Sequence, residues 1–169
     1  MLDGTAATRV RTDHEIDFLV RENHFKDVND TLGHPAGDAV LQATATRLSA
    51  WAGSRAAVGR LGGDEFAIVL PVEAAHRDAR LEQLVRMLHM PVALDDGQAV
   101  NVAASVGAAD PRTLGIYQLS LLQRAADAAL YDGKHSGRAV LADSPHATVP
   151  SVNGRRLGRP GTALWGQAA

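Results

Sequence analysis

A chain of 169 residues with 46% apolar side chains is long enough for one domain with a substantial core, and its few aromatics leave Ala, Val and Leu to fill most of it. A net charge of −2 excludes binding to nucleic acid through bulk electrostatics, and the lack of cysteine excludes disulfides and thiolate metal sites. No apolar run is long enough to span a bilayer, and Met1 to His14 lack the apolar centre of a signal peptide, so a cytoplasmic protein without a membrane partner is expected.

Residues 1–14 read as irregular. Ile16, Phe18, Leu19 and Val20 form a short apolar run that suits a buried strand. Thr31 to Asp38, with Gly33, Pro35 and Gly37, reads as a loop entering a helix, and Asp38 suits its N-cap. Leu41, Ala45, Leu48 and Ala52 then recur at helical spacing. A hairpin is expected over Ala57 to Leu70, turned at Gly62-Gly63, with Phe66, Ile68 and Leu70 on one face. Leu81, Leu84, Val85 and Leu88 mark another helix that Pro91 stops. Val92 to Leu94 and Val100 to Val106 suit a second hairpin around Asp95-Asp96-Gly97. Leu119, Leu122, Ala125, Ala129 and Leu130 suggest a last long helix, and Ala139 to Leu141 an edge strand. From Asp143 the prolines, glycines and Arg155-Arg156 lose all periodicity, as in a disordered tail. Hairpins mixed with helices argue for an α+β domain over residues 15–142, built on a mainly antiparallel sheet flanked by helices.

The run Arg60-Leu61-Gly62-Gly63-Asp64-Glu65-Phe66 carries the most chemistry. Paired glycines let backbone approach a bulky ligand, and adjacent carboxylates at such a tip suit a hard cation beside a phosphate. The same residues could equally close a hairpin with solvated acids. Two other segments decide between these readings. One is His24-Phe25-Lys26-Asp27-Val28-Asn29-Asp30-Thr31-Leu32-Gly33-His34-Pro35-Ala36-Gly37-Asp38. The other runs from Asp127 through Tyr131-Asp132-Gly133-Lys134 to Arg138. In order and spacing the three segments resemble the GGDEF domain of diguanylate cyclases, over about residues 24–142.

The resemblance implies a sheet related to the palm of nucleotide cyclases and polymerases. It also implies an activity in cyclic di-GMP signalling, with GTP as substrate, Mg²⁺ or Mn²⁺ as cofactor, and a homodimer in which each protomer presents one GTP. Asp64 and Glu65 match the acidic pair of the metal and catalytic site, and Gly62 and Gly63 the glycines that let the nucleotide lie against backbone. Asn29 and Asp38 match the residues that hydrogen-bond guanine, although a turn role for Asn29 and a cap role for Asp38 stay open. Lys26, Lys134 and Arg138 match basic residues near the phosphates. His24, His34 and His135 have no helical metal-ligand spacing and read as structural or surface residues.

The chain departs from the family at its start. Ungapped matching from Phe25-Lys26 puts Arg21 where the family keeps a metal-binding Asp, with Glu22 at the position lending a carbonyl and Asn23 at a second Asp. At about 5 Å, like charges repel by a few kcal/mol in a medium of dielectric about 20, so an Arg there opposes a divalent ion. Glu22, one residue on, faces the other side of a strand, and Asp17 lies about 13 Å back along it. Little or no cyclase turnover is expected, and a GTP-binding, regulatory or scaffold role without chemistry is the alternative. The Leu-Thr-Gly-Leu-x-Asn-Arg-like opening of the family is not found in residues 1–23, which suggests a truncated or altered start. Gly53 and Ala56 occupy the family's Arg-x-x-Asp feedback positions, so no product inhibition of that kind is expected.

Overall fold

A computed structural model describes residues 15–134, 138–148 and 163–165. The expectations for residues 1–14, His135 and Arg155-Arg156 fall outside the described residues. In chain order the elements are strand β1 (Glu15–Asn23), helices α1 (Phe25–Leu32) and α2 (His34–Ala52), and the hairpin β2 (Ala57–Gly62) and β3 (Glu65–Pro71). Helix α3 (Arg77–Leu88), the small hairpin β4 (Val92–Ala93) and β5 (Ala99–Val100), and strand β6 (Ala103–Ala109) follow. The short helix α4 (Pro111–Leu114), the long helix α5 (Leu119–Gly133) and strand β7 (Ala139–Leu141) complete the domain. Within the 143–169 stretch lie helix α6 (Ser144–Thr148) and strand β8 (Ala163–Trp165).

The main sheet has the order β7-β6-β1-β3-β2-β8 and is antiparallel except for β6 beside β7. This is the expected α+β architecture. Strand β1 is central and covered on both sides, which is why it reads as a nearly continuous apolar run. Ile16, Phe18 and Val20 face a core shared with Phe66, Ile68 and Leu70 of β3, Leu48 and Trp51 of α2, and Leu84 of α3. Phe18 meets Trp51 edge to face at 5.5 Å, and burying such a ring contributes about 1.5–3 kcal/mol. The opposite face carries Leu19, Ala67 and Ala109 against Leu122, Ala125, Ala126 and Ala129 of α5. Alanines on both surfaces bring this helix close to the sheet.

Three local expectations need correction. Asn29 lies inside helix α1, not in a turn, and Thr31 and Leu32 close that helix instead of opening a loop. The polar run masks a helical spacing at Phe25, Val28 and Leu32, of which Phe25 and Val28 pack against Val40, Val92 and Val100. Asp38 is not an N-cap, because α2 already starts at His34 with Pro35 in its first turn and Gly33 before it. Val100 to Val106 is not one strand. It breaks at Asn101-Val102, so that Val100 serves the β4–β5 hairpin while Ala104, Val106 and Ala108 serve the main core.

Candidate functional site

The end of β1 brings the sequence motifs together. The β2–β3 turn runs through Gly63 and Asp64, one residue later than expected, after a bulge between Arg60 and Gly62. Gly62 and Gly63 have φ of 143° and 55°, values that L side chains rarely adopt, so the turn needs glycine for its conformation. A Cβ on either would meet nothing within 4 Å, which leaves open space above the bend. Arg60 donates from Nε and Nη2 to the Gly63 carbonyl at 2.9 and 2.7 Å and fixes the bend from behind. The turn is tied to β1 by the Glu22 N–H, which donates to the Asp64 carbonyl at 3.1 Å.

Arg21 and Glu65 stand opposite each other in the β1–β3 register, and the Arg21 Nη2 donates to the Glu65 carboxylate in an ion pair. Glu65 is buried and Asp64 half-buried. On its other side Arg21 stands opposite Ser105 of β6. The Ser105 hydroxyl lies 3.0 Å from the Asn23 side-chain oxygen and 3.3 Å from the Lys134 carbonyl. Ser105 therefore links the chain after α5 to the end of β1. Arg138 precedes Ala139, which pairs with Val106, so Arg138 enters the sheet at the level of Ser105. Lys134 and Arg138 are exposed.

His24 makes the sharp turn from β1 into α1 with a left-handed φ of 59°, and its Nδ1 lies 3.0 Å from an Asp27 carboxylate oxygen. Lys26 sits exposed in the first turn of α1. One turn on, the Asn29 carboxamide lies so close over Gly37 that a Cβ there would overlap it. Asp38, the next residue of α2, is exposed. Glu22 points to the opposite face of the sheet from Arg21, as strand parity dictates. It is buried, accepts from the Thr44 hydroxyl at 2.5 Å, and has one oxygen without a partner among the described residues. Burial first, and Asp64 in addition, push its carboxyl up to about 7 against the opposing pull of Thr44 and Arg47. With Phe25, Val28, Val40 and Val102 it lines a cavity of about 160 Å³.

The divalent ion implied by the resemblance does not fit these residues. Among the described residues no group of three or more His, Asp or Glu side chains could hold a metal. A guanidinium, not a carboxylate, faces Glu65, and Glu22 is turned to the other face of the sheet.

A family model described as "Diguanylate cyclase, GGDEF domain" matches residues 5–140. The likeness therefore reaches further back than the motifs from residue 24 suggest, across all of β1. An uncharacterised 19.3 kDa protein in the repSA 5′ region of Streptomyces ambofaciens is 46% identical over 121 residues, covering 71% of this chain and 63% of that protein. The diguanylate cyclase TpbB of Pseudomonas aeruginosa is 35% identical over 122 residues, covering 71% of this chain and 28% of TpbB. The chain thus spans less than two thirds of the length of the curated relatives it matches. Among solved structures, the isolated GGDEF domain of TpbB aligns with a TM-score of 0.72 at 31% identity, covering 78% of each chain. The GGDEF domain of DgcB from Caulobacter crescentus, solved in complex with c-di-GMP, aligns with a TM-score of 0.66 at 28% identity, covering 78% of each chain. By motif, fold and family match, this chain belongs to the GGDEF domain family of cyclic di-GMP signalling.

Proposed function

We propose that this GGDEF domain binds GTP at the end of β1 and that its nominal diguanylate cyclase activity is low or absent. The family's reaction joins two GTP molecules, each ribose 3′-hydroxyl attacking the α-phosphate of the other while pyrophosphate leaves. Positioning and charge neutralisation supply most of such a rate. In this reading Asn29 and Asp38 hydrogen-bond the guanine edge, and the Gly62-Gly63 bend lies against the nucleotide. Lys26, Lys134 and Arg138 neutralise phosphate oxygens, and Asp64 and Glu65 are the acids nearest the reacting hydroxyl. A productive complex takes two protomers, each bringing one GTP. The gathering of these segments around the end of β1 supports the binding half of the reading.

The observation that carries the other half is the Arg21–Glu65 ion pair. It engages an acid that the reaction needs and puts a fixed positive charge beside it. The test is calorimetry with GTP combined with a pyrophosphate-release assay in Mg²⁺. Saturable binding with release near background is expected. Arg21→Asp should raise Mg²⁺-dependent release on the order of a hundredfold, in keeping with the weight of one electrostatic group at such a centre. Robust release by the unmodified protein would overturn the inactive half of the reading, and no binding of GTP would overturn all of it.

A further inference from the structure

Arg21 is arranged as an anion-binding group. It sits in the middle of a cross-strand row, between Glu65 of β3 and Ser105 of β6. Its Nη2 is committed to Glu65, which pins the guanidinium against the sheet. Its Nε is buried and has no partner among the described residues, although the side chain as a whole keeps 19% of its surface exposed. A guanidinium has five N–H donors in a planar fork that matches two phosphate oxygens at once. This one is oriented by one acceptor; its Nε is enclosed, so the donors it can offer a ligand are the remaining Nη hydrogens. On one side Glu65 pairs onward with Gly62 of the glycine bend, and on the other Ser105 fastens the Lys134 backbone to the sheet.

Charge leads to the same place. An arginine where the family keeps an acid changes the local charge by two units, which is what seating a divalent ion would add. The side chain that excludes the ion thus replaces its electrostatic effect. We infer that Arg21 stands in for the metal, so that a nucleoside triphosphate binds this site without a divalent cation, through direct guanidinium–phosphate contact. The inference rests on the proposed guanine-nucleotide site and specifies how that site holds its ligand.

The experiment is calorimetric titration of the whole chain with GTP, once in EDTA and once in Mg²⁺. The dissociation constant of the unmodified protein should differ by less than about threefold between the two buffers. In EDTA, Arg21→Ala should weaken binding at least tenfold, and Arg21→Lys by less, since it keeps the charge but loses the fork. Arg21→Asp should bind only when Mg²⁺ is present, a switch that loss of a merely structural contact would not produce. Should the alanine variant fail to fold, the lysine and aspartate variants carry the test, with thermal melts confirming that each is folded. Binding by the unmodified protein that disappears in EDTA would overturn this inference and leave the proposed nucleotide site standing. Absence of binding in both buffers would overturn the two together.

Discussion

Asp17 is fully buried near the start of β1, between Val69 and Ala109 in the register, and neither carboxylate oxygen has a partner among the described residues. Burial pushes its carboxyl up to about 8 from the ordinary 3.8 of an exposed Asp. The folded protein therefore binds a proton that the unfolded chain releases through the intervening range. This contribution to stability is complete below about 4 and is lost as pH rises through 8, at up to about 1.4 kcal/mol per pH unit. Asp17→Asn, which cannot ionise, should gain on the unmodified protein as pH rises. Urea unfolding at pH 5 and pH 9 checks this, and a stability difference that is the same at both would refute it. Glu22 adds a weaker dependence of the same sign, lost through about 7. Asp17 was visible in the sequence as an acid inside an apolar run. Its solitude was not, because it depends on which strands flank β1.

At the scale of elements, the junction of α1 and α2 is decided by one close approach. Asn29 occupies the space that a side chain at Gly37 would need. The obstruction is the far end of a flexible side chain, so Gly37→Ala should cost the fold little, below about 2 kcal/mol. The Asn29 carboxamide must then leave its place over Gly37. GTP affinity is expected to fall about tenfold while the melting temperature hardly moves, as paired calorimetry and thermal melts would record. A loss of both together would show that the glycine serves the helix packing and not the base. The same junction marks the limit of what periodicity could reveal. Strand β1, the β2–β3 hairpin and helices α3 and α5 follow from apolar spacing, because each buries a continuous face. Helix α1 buries no residue completely, and its Asn29-Asp30-Thr31 run has the composition of a turn. It is helical because Phe25 and Val28 dock on Val40, a contact distant in sequence. Asp38 looked like a cap for the same reason, since Pro35 starts α2 earlier than its apolar spacing implies.

On the scale of the whole molecule, a central strand with both faces covered carries the candidate site at one end. The glycine bend, the chain after α5 and the start of α1 come from three distant parts of the sequence. Hydrogen bonds of Glu22 and Ser105 fasten the first two to β1. The motifs were legible as separate segments. Their convergence, and the pairing of Arg21 with Glu65, required the register of β1 against β3 and β6. Strand β8 adds a consequence of another kind. It lies along β2, opposite Val58, Gly59 and Arg60, and so covers the outer rim of the hairpin that ends in the glycine bend. A chain shortened to end at Thr148 would bare a row of backbone donors and acceptors there, a ready template for strands from other copies. Sedimentation should then show self-association that grows with protein concentration, and a shortened chain that stays monomeric would mean the rim is protected without its last strand.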